Sequence, residues 1–320
     1  MMTMHAAIDE FILDVCAGKR NQTPESYRKK LNFLARFLRD DCDITQLTPA
    51  DLERFRRECL ERGTKRHGTK TVEGPLSIFT VRSVLRTVIH FFKWLHQTGG
   101  LPENIAVNLR LPKEPQPKPK AVHPDTIKKL VQAAARMGEV WERARNLAIL
   151  YCLTDTGGRL GAFVNATIDG LDFERRTLTV TDKGGKQQVL QLLPVTCTLL
   201  KQWLDYRAKL NPVDNHLFVS VHKTKGQGMT ASAFYNMLHR LARETDLQGA
   251  RFNPHSFRHA FARDTLQRGH CDISRLSRLM GHTTPTITLK YYALWDDHEL
   301  KEAHDMTSPA LALGEPPAIQ

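Results

Sequence analysis

The stretch NPHSFRHAFA, residues 253–262, places His255, Arg258 and His259 at i, i+3 and i+4. On a helix that spacing gathers side chains on one side. Phe257 and Phe261 are also four apart and suit a buried face. Three crowded donors need an acceptor, and the stretch itself supplies none. Other donors stand at conspicuous places. Arg159 follows the glycine pair of TDTGGRLGA, Lys183 lies at the tip of a hairpin, His282 follows Gly281, and Tyr291 comes nine residues after His282. Together they suit phosphodiester chemistry. The transition state of that reaction gains negative charge on the non-bridging oxygens. Two guanidiniums, Arg159 and Arg258, can bind those oxygens bidentately and need no metal. Losing one such fixed donor typically costs about 3 kcal/mol of barrier. Tyr291 is the candidate nucleophile. A free phenol has a pKa near ~10, nearby cations favour its ionised form, and a phosphate held by two arginines sets up in-line attack. The product is a covalent phosphotyrosine, which conserves bond energy for religation.

Each assignment has a plainer competitor. Arg159 alone could cap the helix before it. Lys186 lies three residues from Lys183 and could be the reaching amine instead. Tyr292 adjoins Tyr291 and would be the alternative nucleophile. His259 is expected to be a structural donor to the backbone. A zinc site could draw on His255, His259, His270, Cys271 and His282. The His-Glu-x-x-His form is absent and no close cysteine pair exists, so no metal and no cofactor is expected.

The elements that must carry these groups divide into two parts. LPKEPQPKPKAV, residues 111–122, holds four prolines and four charges and reads as an extended linker. The part before it reads as helices. Thr23 is a plausible N-cap with Pro24 at the first helical position. Tyr27, Leu31, Leu34 and Phe37 or Leu38 then recur at helical spacing. TPADLERFRREC repeats the Thr-Pro start at Thr48. In residues 78–100, Val81, Leu85, Val88, Ile89, Phe92 and Leu95 share a side that ends at Gly99-Gly100. Arg82, Arg86 and Lys93 occupy the other side, where they are either solvated or available to DNA phosphates. The second part opens with helices at about 124–137 and 140–156. Residues 170–193 then alternate as LTVT and QVLQLL around Lys183-Gly184-Gly185-Lys186, a hairpin with an earlier short strand at 171–173. Helices resume at about 195–209, 230–246, 255–268 and 272–280. Leu276, Leu279 and Met280 are expected in the core, and SPALALGEPPAIQ is a loose tail.

The order Arg159, Lys183, His255, Arg258, His282, Tyr291 resembles the tyrosine recombinases, the phage integrase family. The matching pieces are TGGR, TDKGGKQQVLQLLP, HSFRHAFA and MGHTTPTITLKYY. SIFTVRSVLRTVIHFFKWLHQTGGLPENIAVNL also looks like the end of the family's helical core-binding domain. The resemblance implies a mainly α (α+β) fold: a helical core-binding, SAM-like domain over 1–112, a Pro/Lys linker over 113–120, a catalytic domain over 121–305 with a small antiparallel three-stranded sheet, and a tail over 306–320. It implies a site-specific DNA recombinase working through a 3′-phosphotyrosine, a free 5′-hydroxyl and Holliday-junction exchange. Lys183 then protonates the leaving hydroxyl, His255 is the acid–base imidazole, and His282 bonds the phosphate and seats the tyrosine. The partner is double-stranded DNA with paired half-sites, bound by a tetramer across two sites. The task is integration, excision or transposition of a mobile element. Residues near 296–310 are expected to dock on the next protomer. One departure stands out. The acidic residue that family members commonly carry three positions after the first arginine is Ala162 here, so Arg159 must be steadied by something else, such as Asp155 or a backbone carbonyl. The competing reading is a DNA-binding regulator on the same scaffold with weak or no catalysis.

The bulk properties agree with a polyanionic partner. The 320 residues are 41% hydrophobic and carry a formal net charge of +12, with a basic surplus both before and after residue 120. Arg82, Arg86, Lys93, Lys118, Lys120 and Lys186 are the candidate DNA contacts. Six cysteines, none at CxxC spacing, fit free thiols in a reducing compartment. The start MMTMHAAIDEF lacks a long apolar run, and no stretch approaches ~18 apolar residues, so neither a signal peptide nor a membrane span is expected. A cytoplasmic, DNA-bound protein follows.

Overall fold

The computed structural model describes residues 2–17, 22–39, 42–61, 64–67, 70–115, 121–181, 185, 187–221, 226–245, 247, 253–267, 271–282, 284–292, 301, 304–306 and 308. Lys118, Lys120, Lys183, Lys186 and His270 lie outside that set, as does most of the segment 296–310. The chain forms two compact units, Met1–Gln116 and Pro117–Gln320.

The first unit contains α1 (Met4–Val15), α2 (Gln22–Phe37), α3 (Pro49–Glu61), a hairpin of β1 (Thr64–His67) and β2 (Lys70–Glu73), and α4 (Ile78–Gln97). Helix α2 begins at Gln22, so Thr23 and Pro24 lie inside its first turn rather than at its cap. Proline is tolerated there because the first turn has no intrahelical acceptor for its missing N–H. At α3 the Thr48 hydroxyl and N–H both donate to Asp51, at 2.7 and 2.8 Å, which closes the helix start. The β1–β2 hairpin was not expected. Its pairing runs from Thr64 opposite Glu73 to His67 opposite Lys70, and a charged, alternating segment of this kind lacks the apolar face that marks a strand in sequence. Helix α4 is the spine. Phe91, Phe92 and Leu95 are buried with Val81, Leu85 and Val88. Phe11 meets Tyr27, His90, Phe91 and Trp94 edge-on with centroids 5.3–5.5 Å away. Burying one such ring contributes about 3 kcal/mol, and the edge contacts add to it.

The second unit contains α5 (Pro124–Arg136), α6 (Val140–Thr156), α7 (Leu160–Val164), β3 (Leu171–Asp172), β4 (Thr177–Thr181), β5 (Gln187–Gln191), α8 (Pro194–Ala208), α9 (Ala231–Arg243), α10 (Pro254–Gln267), α11 (Ile273–Leu279) and α12 (Pro285–Tyr292). The strands make one antiparallel sheet in the order β3-β4-β5. The unit is therefore mainly helical with a small three-stranded sheet. Helix α6 is buried around most of its circumference, including Arg145, Asn146, Ile149, Leu150, Cys152 and Leu153, with a half-buried stripe through Arg143, Leu147 and Tyr151, as suits a helix packed against α5, α8 and α10. Trp203 is fully buried and donates its indole N–H to the Leu217 carbonyl at 2.8 Å. Strand β4 buries Leu178 and Val180, while β5 buries Gln188 and Leu190. Leu276 and Met280 are buried and Leu279 is half-buried. The described cysteines are all free thiols. Among the described residues no helix is long and apolar enough to cross a membrane.

Candidate active site

The acceptor missing from NPHSFRHAFA comes from two distant turns. Asn253 immediately precedes helix α10, its side-chain oxygen accepting the Ser256 N–H at 3.0 Å, and Pro254 takes the first helical position. Arg258 points inward and is 4% exposed. It donates to the Gly157 carbonyl at 2.7 Å and to the Met280 carbonyl at 2.8 Å. Gly157 ends α6 in the left-handed conformation, with φ +57°. A Cβ there would sit 2.4 Å from the Phe261 ring, so only glycine lets α10 come close enough for Arg258 to reach that carbonyl.

Arg258 also lies 2.8 Å from His282 Nε2, while His282 Nδ1 lies 2.7 Å from Thr288 Oγ1. A guanidinium can only donate. His282 Nε2 therefore accepts, the proton sits on Nδ1, and Nδ1–H donates to Thr288. Burial first, then the charges of Arg258 and Arg159, push His282 down to about 4, which agrees with a neutral ring. Thr288 is fully buried on α12, three residues before Tyr291. One chain of bonds thus runs from α6 through Arg258 and His282 to the helix that carries the candidate nucleophile.

Arg159 begins α7 and donates toward the Gly281 carbonyl at 3.5 Å. Asp155 does not steady it. That carboxylate accepts from Leu193 N at 2.8 Å and Thr196 Oγ1 at 2.7 Å, and so holds the start of α8. Ala162 is buried in the core of the unit. Of the two substitutes expected for the missing acidic residue, the backbone carbonyl is the one that bonds Arg159. Arg159 and Arg258 both lower the pKa of His255, after burial, and both act on His282. The two guanidiniums therefore converge on one set of imidazoles. His255 keeps an exposed residue surface, although partial burial of its ring is the larger cause of its lowered pKa.

His259 has a different partner from the expected backbone. Its Nδ1 lies 2.6 Å from the Tyr292 hydroxyl. Burial, followed by His255 and Arg258, pushes His259 down to about 4. Burial also drives Tyr292 up to about 12, so this phenol stays protonated and engaged. Tyr291 is 36% exposed. Of the adjacent tyrosines, the solvent-facing one is Tyr291. Their rings lie 6.4 Å apart, and further centroid steps of 5.6 Å to His259 and 5.5 Å to His255 connect α12 with α10.

The remaining candidates separate by place. Arg86 and Lys93 are exposed on α4. Arg82 is half-buried, bonds the Pro112 carbonyl and pairs with Glu114 at 3.2 Å, so it fastens the segment after α4. Lys183, Lys186, Lys118 and Lys120 fall outside the described residues. Sequence reasoning missed Thr288, which nothing marks except a polar residue at helical spacing from Tyr291, and the carbonyls of Gly157 and Met280, which no side-chain pattern reveals.

Comparison with known proteins identifies the family. Residues 120–298 match the phage integrase family. The tyrosine recombinase XerC of Brucella suis is 30% identical over 277 residues, covering 83% of this chain and 80% of that protein. XerC of Alcanivorax borkumensis is 28% identical over 281 residues, covering 82% of this chain and 89% of that protein. Among solved structures, the Tn1549 transposon integrase in complex with a circular intermediate DNA shares the fold with a TM-score of 0.73, at 18% identity, over 96% of this chain and 99% of that one. The chain belongs to the phage integrase family, the tyrosine recombinases.

Proposed function

We propose that this protein is a site-specific DNA recombinase that cuts and rejoins DNA through a 3′-phosphotyrosine at Tyr291. Arg159 and Arg258 bind the non-bridging oxygens of the scissile phosphate. The Tyr291 oxygen attacks phosphorus in line, the bond from phosphorus to the 5′-oxygen breaks, and Lys183 gives that oxygen its proton. His255 takes the Tyr291 phenol proton as the acid–base imidazole. His282 holds α12 through Nδ1, and the phosphate bond the family resemblance implies for it requires Nε2 to release Arg258 and take up a proton. Attack by the 5′-hydroxyl of a second strand reverses the step and yields exchange through a Holliday junction. Two DNA sites with paired half-sites, a tetramer of this chain, and integration, excision or transposition of a mobile element complete the reading. So does a cytoplasmic, DNA-bound location. The first unit contributes Arg86 and Lys93 to the duplex, and Lys118, Lys120 and Lys186 add further phosphate contacts.

The observation that carries the proposal is the continuous link from Arg258 through His282 to Thr288, three residues before Tyr291. It ties a phosphate-binding group to a nucleophile helix, which a DNA-binding regulator does not need. A nicked suicide substrate tests it. The wild-type protein should trap a covalent complex, and Tyr291→Phe should bind the same DNA yet trap none. Covalent product from Tyr291→Phe would move the nucleophile to another residue such as Tyr292. Absence of any covalent complex from the wild-type protein would favour the regulator.

A further inference from the structure

Strand β5 faces the core with alternate residues, and position 188 shares that side with Leu190. An apolar residue belongs there, yet Gln188 occupies the site and is only 9% exposed. Its Nε2 donates to the Leu279 carbonyl at 2.9 Å. Its Oε1 is buried and has no hydrogen-bond partner among the described residues. The amide lies flat against Gly281, where a Cβ would come within 2.5 Å of Gln188 Cδ. Gly281 also has φ +64°. The turn that Gln188 grips is the one that holds the arginines. Three consecutive carbonyls each accept from a different group: Leu279 from Gln188, Met280 from Arg258 and Gly281 from Arg159.

A buried amide with its oxygen unpaired is a poor way to stabilise a core, and an apolar side chain of the same size would do better. The amide does supply register. Gln188 is the first inward-facing residue of β5 after the lysine hairpin, five positions beyond Lys183. A slip of one residue in a strand turns every side chain to the opposite face. We propose that Gln188 is a positioning residue for cleavage, which locks the strand leaving the lysine hairpin onto the turn that anchors Arg159 and Arg258. The general acid and the two guanidiniums then address the same phosphate. This rests on the recombinase reading above, and specifically on Lys183 as the group that protonates the leaving oxygen.

The test is Gln188→Leu, which keeps the volume and removes both the donor and the unpartnered acceptor. The melting temperature should hold within roughly 3 °C, and binding of intact DNA should be unchanged. Single-turnover cleavage of a natural oxygen-bridged substrate should fall roughly 10- to 100-fold, the scale of a misplaced general acid. A substrate with sulfur in place of the scissile 5′-oxygen should restore most of that loss, because a thiolate leaves without needing a proton. Lys183→Ala on both substrates is the control. If sulfur restores Lys183→Ala and not Gln188→Leu, the Gln188 proposal fails alone. If sulfur restores neither, the Lys183 assignment fails and the proposal with it. Wild-type cleavage by Gln188→Leu also overturns it, as does a joint fall in melting temperature, binding and cleavage, which would mark a structural residue. Should the leucine variant not fold, Gln188→Met carries the same comparison.

Discussion

Two buried arginines of the second unit have different kinds of described partner. Arg145, on α6, is matched to a carboxylate: Glu142 lies 3.8 Å away and also pairs with Arg240. Asn146 and the Val219 carbonyl complete its bonds. Burial pushes Arg145 down to about 10. Arg258, on α10, is held by the Gly157 and Met280 carbonyls and by a neutral imidazole. Neutral acceptors of this kind fix a guanidinium in space. The consequence is visible in the neighbours, since His255 and His282 both feel Arg258 and Arg159. The first arrangement builds a core. The second fixes a guanidinium beside the imidazoles of His255 and His282.

Cleavage gives the largest expected effect. Arg258→Ala should lower the single-turnover rate at least about 1,000-fold, near the top of the range for losing a preorganised donor. A loss under about tenfold would mean that Arg258 is not catalytic. Glu142→Gln should act on the other arginine and on the other property. Leaving two guanidiniums against a neutral partner should cost about 3–5 kcal/mol in urea denaturation, with the cleavage rate per folded molecule unchanged. A stable Glu142→Gln protein, or one that folds but cannot cleave, would erase the distinction. The smallest effect is in pH. His259 and His282 are both lowered to about 4 from 6.5, so the fold favours their neutral forms. Their stabilisation is complete above pH 6.5 and is lost as pH falls from there toward about 4. Thermal melts across that window should show a decline that His282→Asn makes shallower. An unchanged slope would place the sensitivity on other groups.

The candidate residues of this site were largely legible in the chain. Arg159, Arg258, His255, His282 and Tyr291 are unusual side chains at fixed intervals, and those intervals survive without coordinates. Helices α4, α5, α6 and α10 were legible too, because a 3.6-residue apolar period and proline or glycine ends are local properties. The β1–β2 hairpin was not, since its stability does not register as an apolar face. Helix α12 was missed as an element although its tyrosine was found, because PTITLKYY is too short and too β-branched to read as a helix.

Sequence alone determined which groups are present and in what order, since charge, nucleophile type and spacing are properties of the chain. Tertiary structure decided how they are held. Asp155 turned to α8, the Gly281 carbonyl took Arg159, and His259 turned to Tyr292. Gln188 came to rest on the turn that both arginines share. Backbone carbonyls look alike in every sequence, and a contact between residues a hundred positions apart exists only once α6, α10 and the turn after α11 have packed.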